Sequence, residues 1–225
     1  TVTITGGTIT ADNGGIGGGR ANKGVGGDAE ITISGENTTI TAKSIGGGRS
    51  KTNTGGNVEL TVNGGRLTVN DYIGGGIGGA NQDKIGWAKV YITGGDISGR
   101  TVMEASATDG CVFDMSGGTV TSTISDQPGG AVYMVDSKGT ATLSGGTIQN
   151  CQGTTGGAVY MTGGTFTISG DGKMENNTAS QNGAALYLSG TGKVYVKGGN
   201  ITGSSEVNKE AIYMAGGEFT MTAGT

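Results

Sequence analysis

Histidine is missing altogether from this 225-residue chain, proline occurs once (Pro128), and only two cysteines and one tryptophan are present. Without an imidazole there is no Ser–His or Cys–His nucleophilic pair and no histidine-bearing metal site. Cys111 and Cys151 are too few for a disulfide framework. They fall at different places in the repeat described below, so two idle, buried thiols at different corners are expected. Cys111 follows Asp109-Gly110, but no base is at hand to activate it. Charge is also sparse: 14 Lys+Arg against 18 Asp+Glu give a net charge of −4. That balance leaves no basic footprint for nucleic acid and no polybasic patch for a membrane surface. No apolar run approaches the ~20 residues of a spanning helix.

Glycine is what the chain has in excess, 51 residues of it. Collagen is excluded because glycine does not fall at every third position and proline is nearly absent. Disorder is excluded because apolar β-formers recur regularly. Thr, Val, Ile and Tyr dominate the other positions, and these residues fit pleated surfaces. The stretch 156–177, GGAVYMTGGTFTISGDGKMENN, holds three short alternating runs: Ala158–Met161, Thr165–Ile168 and Lys173–Glu175. Glycine sits at the corners between them, where the backbone must turn sharply.

That unit recurs from end to end. Counterparts of Val159 are Ile16, Ile45, Ile73, Val102, Val132, Leu186 and Ile212, at intervals of 26 to 30 residues. A second series marks the middle strand: Thr3-Ile4, Thr32-Ile33, Thr61-Val62, Tyr91-Ile92, Asp114-Met115, Thr142-Leu143, Thr167-Ile168 and Tyr195-Val196. A third, of GGTI type, marks the last strand and runs from residues 6–9 to GGEF at 216–219. Three strands per repeat predict an all-β, right-handed parallel β-helix of about eight rungs, a single domain over 1–225. One repeat cannot bury its own apolar face, whereas stacked rungs ~4.8 Å apart share a continuous core. Val159, Met161, Phe166, Ile168 and Met174 are expected to face inward, and Tyr160, Thr167, Lys173 and Glu175 outward.

The two halves differ. Early first strands read IGGG and are followed by polar loops (20–27, 49–56, 77–86), while later ones read AVYM, ALYL or AIYM, with the loops before them (151–157, 177–183, 203–209). The changeover falls near 101–111. Both ends lie within repeat text, so a segment of a longer protein is expected.

Gly129-Gly130-Ala131-Val132 and Gly156-Gly157-Ala158-Val159 match a GGA[IV] motif, and Ile148-Gln149-Asn150 and Met174-Glu175-Asn176 approximate FxxN without its Phe. Over about residues 117–215 the chain thereby resembles bacterial surface proteins with right-handed parallel β-helices. The polymorphic outer-membrane autotransporter passengers are the best-known of these, and the long repeat-built exoproteins of gut Gram-positive bacteria look closer still. The resemblance implies an extracellular, cell-attached adhesin or stalk and transfers no catalytic residues.

Several side-chain patterns bear on function. Tyr133, Tyr160, Tyr187 and Tyr213 recur at 27, 27 and 26 residues, which predicts an outward ladder; ring stacking explains it structurally, and a glycan surface is the functional reading. Trp87 adjoins the stacked loops Arg20–Lys23, Arg49–Asn53 and Asn81–Lys84, a candidate polar cleft. Asn150 and Asn176 are read as an inward hydrogen-bonded ladder. A hydrolase needs two carboxylates about 5–10 Å apart, and no adjacent rungs are expected to place two acids together, with Asp71, Asp83, Asp109, Asp126 and Asp136 at corners of unknown position. One nonapeptide-like stretch, 24–31, has no partner nine residues on, so neither a calcium site nor any other cofactor is expected. Threonine pairs such as Thr8/Thr10 and Thr39/Thr41 follow ordinary β-propensity. The expected function is a non-enzymatic adhesin or stalk facing host or dietary glycans or host surface proteins. Its alternatives are a pectin-lyase-like carbohydrate-active enzyme and an inert spacer.

Overall fold

Residues nearly thirty apart in sequence pair as strand neighbours throughout the computed structural model, which describes residues 1–79, 84–104, 110–204 and 210–225. Asp83, Asp109, Asn81 and most of loop 203–209 therefore lie outside the described residues. Among the described residues every pairing is parallel except that of Ile77–Gly78 with Lys84–Ile85. The chain is a parallel β-solenoid of about seven turns, all-β and, among the described residues, without a helix.

Three ladders of inward side chains define it. The middle sheet stacks Ile4, Ile33, Val62, Ile92, Met115, Leu143, Ile168, Val196 and Met221. The last sheet stacks Ile9, Ile40, Leu67, Ile97, Val120, Ile148, Met174 and Ile201. The first sheet stacks Ile16, Ile45, Ile73, Thr101, Val132, Val159, Leu186 and Ile212. In the first half the strands flow through the corners, so that Val58–Gly74 runs unbroken through all three sheets. Val159, Met161, Phe166, Ile168 and Met174 are fully buried, while Tyr160, Thr167, Lys173 and Glu175 point outward. The alternation anticipated from the text holds there.

Two assignments shift. Thr101, not Val102, is the counterpart of Val132: Thr101 is 3% exposed and Met103 0%, facing the core with Val132 and Met134. Val102 instead pairs outward with Tyr133 and Gly74. The apolar residue looks like the natural match, but strand alternation is set by Met103, and the polar neighbour goes in. GGEF at 216–219 belongs to the middle sheet, because Phe219 pairs with Val194.

The corner after the last sheet corrects the asparagine reading. Asn150 and Asn176 are exposed, with φ of 52° and 54°, the left-handed conformation asparagine tolerates at a turn. The buried corner residues are their successors, Cys151 and Asn177. Asn177 Oδ1 accepts the Cys151 backbone N–H at 3.0 Å, and its Nδ2 donates to the Ile148 carbonyl at 3.1 Å. One amide thus satisfies two buried backbone groups of the preceding turn. Asn177→Ala strands both, and a loss of about 2–4 kcal/mol is expected from denaturant midpoints; Asn176→Gly, which keeps the left-handed turn, should stay within about 0.5 kcal/mol.

A glycine seam closes the first half. Backbone hydrogen bonds zigzag up the axis between the first strands and the glycines that lead into the middle strands. Gly27 N–H donates to Gly19 (2.9 Å), Gly48 to Gly27 (2.7 Å), Gly56 to Gly48 (2.8 Å), Gly76 to Gly56 (2.7 Å) and Gly86 to Gly76 (3.0 Å). The polar loops leave and return outside this seam. The loops of successive turns also touch, through the Ala21–Ser50 bridge.

Candidate functional site

The outward side of the first sheet changes character along its length. One row reads Gly17, Gly46, Gly74, Val102, Tyr133, Tyr160, Tyr187 and Tyr213. Three positions are bare backbone, one is valine and four are aromatic. The tyrosine rings are parallel to within 10°, with centroids 5.4, 5.2 and 5.5 Å apart. Each inner ring therefore turns both faces to a neighbouring ring, and what it offers solvent is its edge and its hydroxyl. A sugar cannot lie flat on Tyr160 or Tyr187. Burial pushes the Tyr133 and Tyr160 phenols above their ordinary value; for Tyr160 the neighbouring Tyr187 adds to it.

Arg100 closes one end of the ladder. Its guanidinium stands 4.7 Å from the Tyr133 ring centre. Nε donates to the Pro128 and Gly129 carbonyls at 3.0 Å, and Nη2 to Pro128 at 2.8 Å. Only 8% of the residue is exposed. Burial lowers its pKa, and Tyr133, Asp71, Asp126 and Glu104 oppose that shift. The three acids line, with Tyr72 and Arg100, a cleft of about 420 Å³. Sequence reasoning placed neither Asp71 nor Asp126 and passed over Glu104. A second acidic juxtaposition lies on the middle sheet, where Glu30 and Glu59 are register partners on adjacent turns. The expectation that no adjacent turns place two acids together is thereby overturned. Even so, no group of three His, Cys, Asp or Glu among the described residues is placed to hold a metal ion.

Beyond Tyr72 a second cleft, of about 540 Å³, continues along the glycine half, lined by Arg20, Lys43, Ser44, Arg49 and Asp71. Trp87 is not part of this face. It stands at the corner before the middle strand, its backbone N–H bonded to Asn57 Oδ1 at 3.0 Å and Lys89 Nζ 4.4 Å from its ring centre. The shallow cleft it lines contains Asp28, Glu30 and Glu59 and none of the ladder tyrosines.

Both cysteines are buried and free, at different corners. Cys111 Sγ accepts the Ala88 backbone N–H at 3.4 Å, and its own N–H donates to Asp136 Oδ2 at 2.8 Å. Desolvation pushes the Cys111 thiol up to about 12 and raises Cys151 as well. A folded-state pKa above the unfolded value means stability is fully present below about pH 8.5 and is lost as pH rises toward 12. Denaturant midpoints should therefore fall between pH 9 and 11, and less so in a Cys111→Ala variant.

The chain matches no family model, no curated protein and no solved structure.

Proposed function

We propose that this chain is a non-enzymatic binding or stalk module of an extracellular bacterial surface protein, and that its first-sheet face receives a linear glycan laid along the solenoid axis. The supporting observation is the unbroken outward row from Gly17 to Tyr213. Seven steps of ~4.8 Å give it a span on the order of 35 Å. Along the tyrosine half, stacked rings fix a file of hydroxyls that both donate and accept hydrogen bonds, a chemistry suited to sugar hydroxyls. The GGA[IV] motifs support the extracellular setting, with host or dietary glycans or host surface proteins as partners. A glycan-array screen tests it. Tyr160→Ala and Tyr187→Ala should each abolish binding while the β-type circular dichroism is kept; undiminished binding removes the tyrosine face from the site.

A second reading rests on the cleft shared by Asp71, Glu104 and Asp126. Paired carboxylates are the chemistry of glycoside cleavage, so a polysaccharide hydrolase or lyase is the alternative. Incubation with polysaccharides and detection of new reducing ends or unsaturated uronates checks it; activity that disappears in Asp71→Asn would replace the binding reading.

A further inference from the structure

We infer that the cleft along the glycine half is an anion-recognition site that takes the sulfate or carboxylate groups of a linear acidic polysaccharide. The inference rests on the glycan-binding reading above and names the class of glycan. In a chain of net charge −4, this cleft gathers Arg20, Lys43 and Arg49 against a single acid among the described residues, Asp71. A local excess of positive charge on an acidic protein draws an anion to that spot and to few others.

The backbone fixes where the cations stand. Arg20 and Arg49 occupy equivalent places on successive turns, because Ala21 bridges Ser50 and the Ala21 N–H donates to the Arg49 carbonyl at 2.8 Å. Their Cα atoms are thus set about one rung apart, ~4.8 Å. The Arg20 guanidinium offers a planar fork that matches a sulfate or carboxylate in two-point contact, and Arg49 adds its charge beside it. Lys43 is exposed, following buried Ala42, at the corner where the register with both neighbouring turns shifts between Ala42 and Ser44. Between these walls the floor is Gly17 and Gly46, where a Cβ would run into the carbonyl of the next turn, Gly46 O and Gly74 O respectively, so the floor stays bare backbone. Beyond Tyr72 the acids Asp71, Glu104 and Asp126 take over and repel further negative charge, so the anionic stretch that fits is short and its position along the axis is set.

A nucleic acid is the other polyanion this charge could attract. Among the described residues the cleft has only Tyr72 as an aromatic ring, without the series of stacking platforms that single-stranded nucleic acids use. The acids that follow would also oppose a continuous phosphate track.

The test compares polymers of one backbone: dextran sulfate, carboxymethyl dextran and neutral dextran, with single-stranded DNA as a further arm, by calorimetry on the full chain. The two charged dextrans should bind, more weakly as salt is raised, and neutral dextran should not. Arg20→Ala/Arg49→Ala should weaken dextran sulfate roughly tenfold or more. Lys89→Ala, a cation on the middle sheet, should leave it unchanged. An unaltered melting profile in the double variant separates lost binding from lost fold. Equal binding of neutral dextran, equal binding of DNA, or full retention in the double variant each overturns the anion site. If a neutral glycan binds and depends on Tyr160, the anion site falls while the glycan-binding reading stands; if no glycan binds at all, both fall.

Discussion

Replacing Gly56 with alanine is expected to destabilise the protein by about 3 kcal/mol or more, the upper range for overpacking a tight interior. A Cβ at this position would lie 2.0 Å from the Gly27 carbonyl oxygen and 2.5 Å from its carbon. Backbone, not a movable side chain, is what it meets. Gly27 cannot retreat, since its N–H is bonded to Gly19 and its oxygen accepts from Gly48. Each turn contacts its neighbours only, so the damage should spread through the glycine half while the tyrosine half persists. Far-UV circular dichroism with urea would show an earlier partial transition. Gly19→Ala is the control: a Cβ there meets nothing within 4 Å, and its midpoint should shift by less than about 0.5 kcal/mol. A Gly56→Ala protein that unfolds like the parent would remove the seam as a structural element.

The second large effect is in the other half. Inward side chains along one row of the middle sheet run Val90, Phe113, Ala141, Phe166, Val194 and Phe219. Ala141 lies between two fully buried phenylalanines, and the alternation of large and small residues fills the interior. Phe166→Ala places two alanines on successive turns and opens a void, at an expected cost of about 3–5 kcal/mol. Ala141→Leu added to Phe166→Ala should recover part of the loss by refilling that space. A single variant within about 1 kcal/mol of the parent would show that this row is not tightly packed.

The ladders were legible to the degree that their residues repeat in type. The middle-sheet series from Thr3-Ile4 to Tyr195-Val196 pairs as read, because a β-branched or aromatic residue beside an apolar one recurs at every turn but that of Asp114-Met115. Errors came where type and position part company. Thr101 enters the core in place of Val102, and Asn177 does the work assigned to Asn176. The tyrosine ladder was read correctly as a row, but its ring orientation depends on packing that no spacing reveals. The acidic cleft was hidden for another reason. Asp71, Glu104 and Asp126 are 33 and 22 residues apart, which matches no repeat interval, and they meet only because the loops change corner between them. The seam was equally opaque: its glycines look like turn residues until the strands they belong to are seen to face one another.

That seam also bears on how the molecule can vary. Since the interior of the first half is sealed by main-chain bonds between glycines, the excursions beyond it contribute little to holding the coil shut. Lys51 N–H donates to Ala21 and the Thr54 carbonyl accepts from Gly26, so the place for a foreign peptide is the tip between them, 52–53. Successive turns would then display grafted segments side by side at intervals of about 5 Å, a ready-made array on a stiff rod.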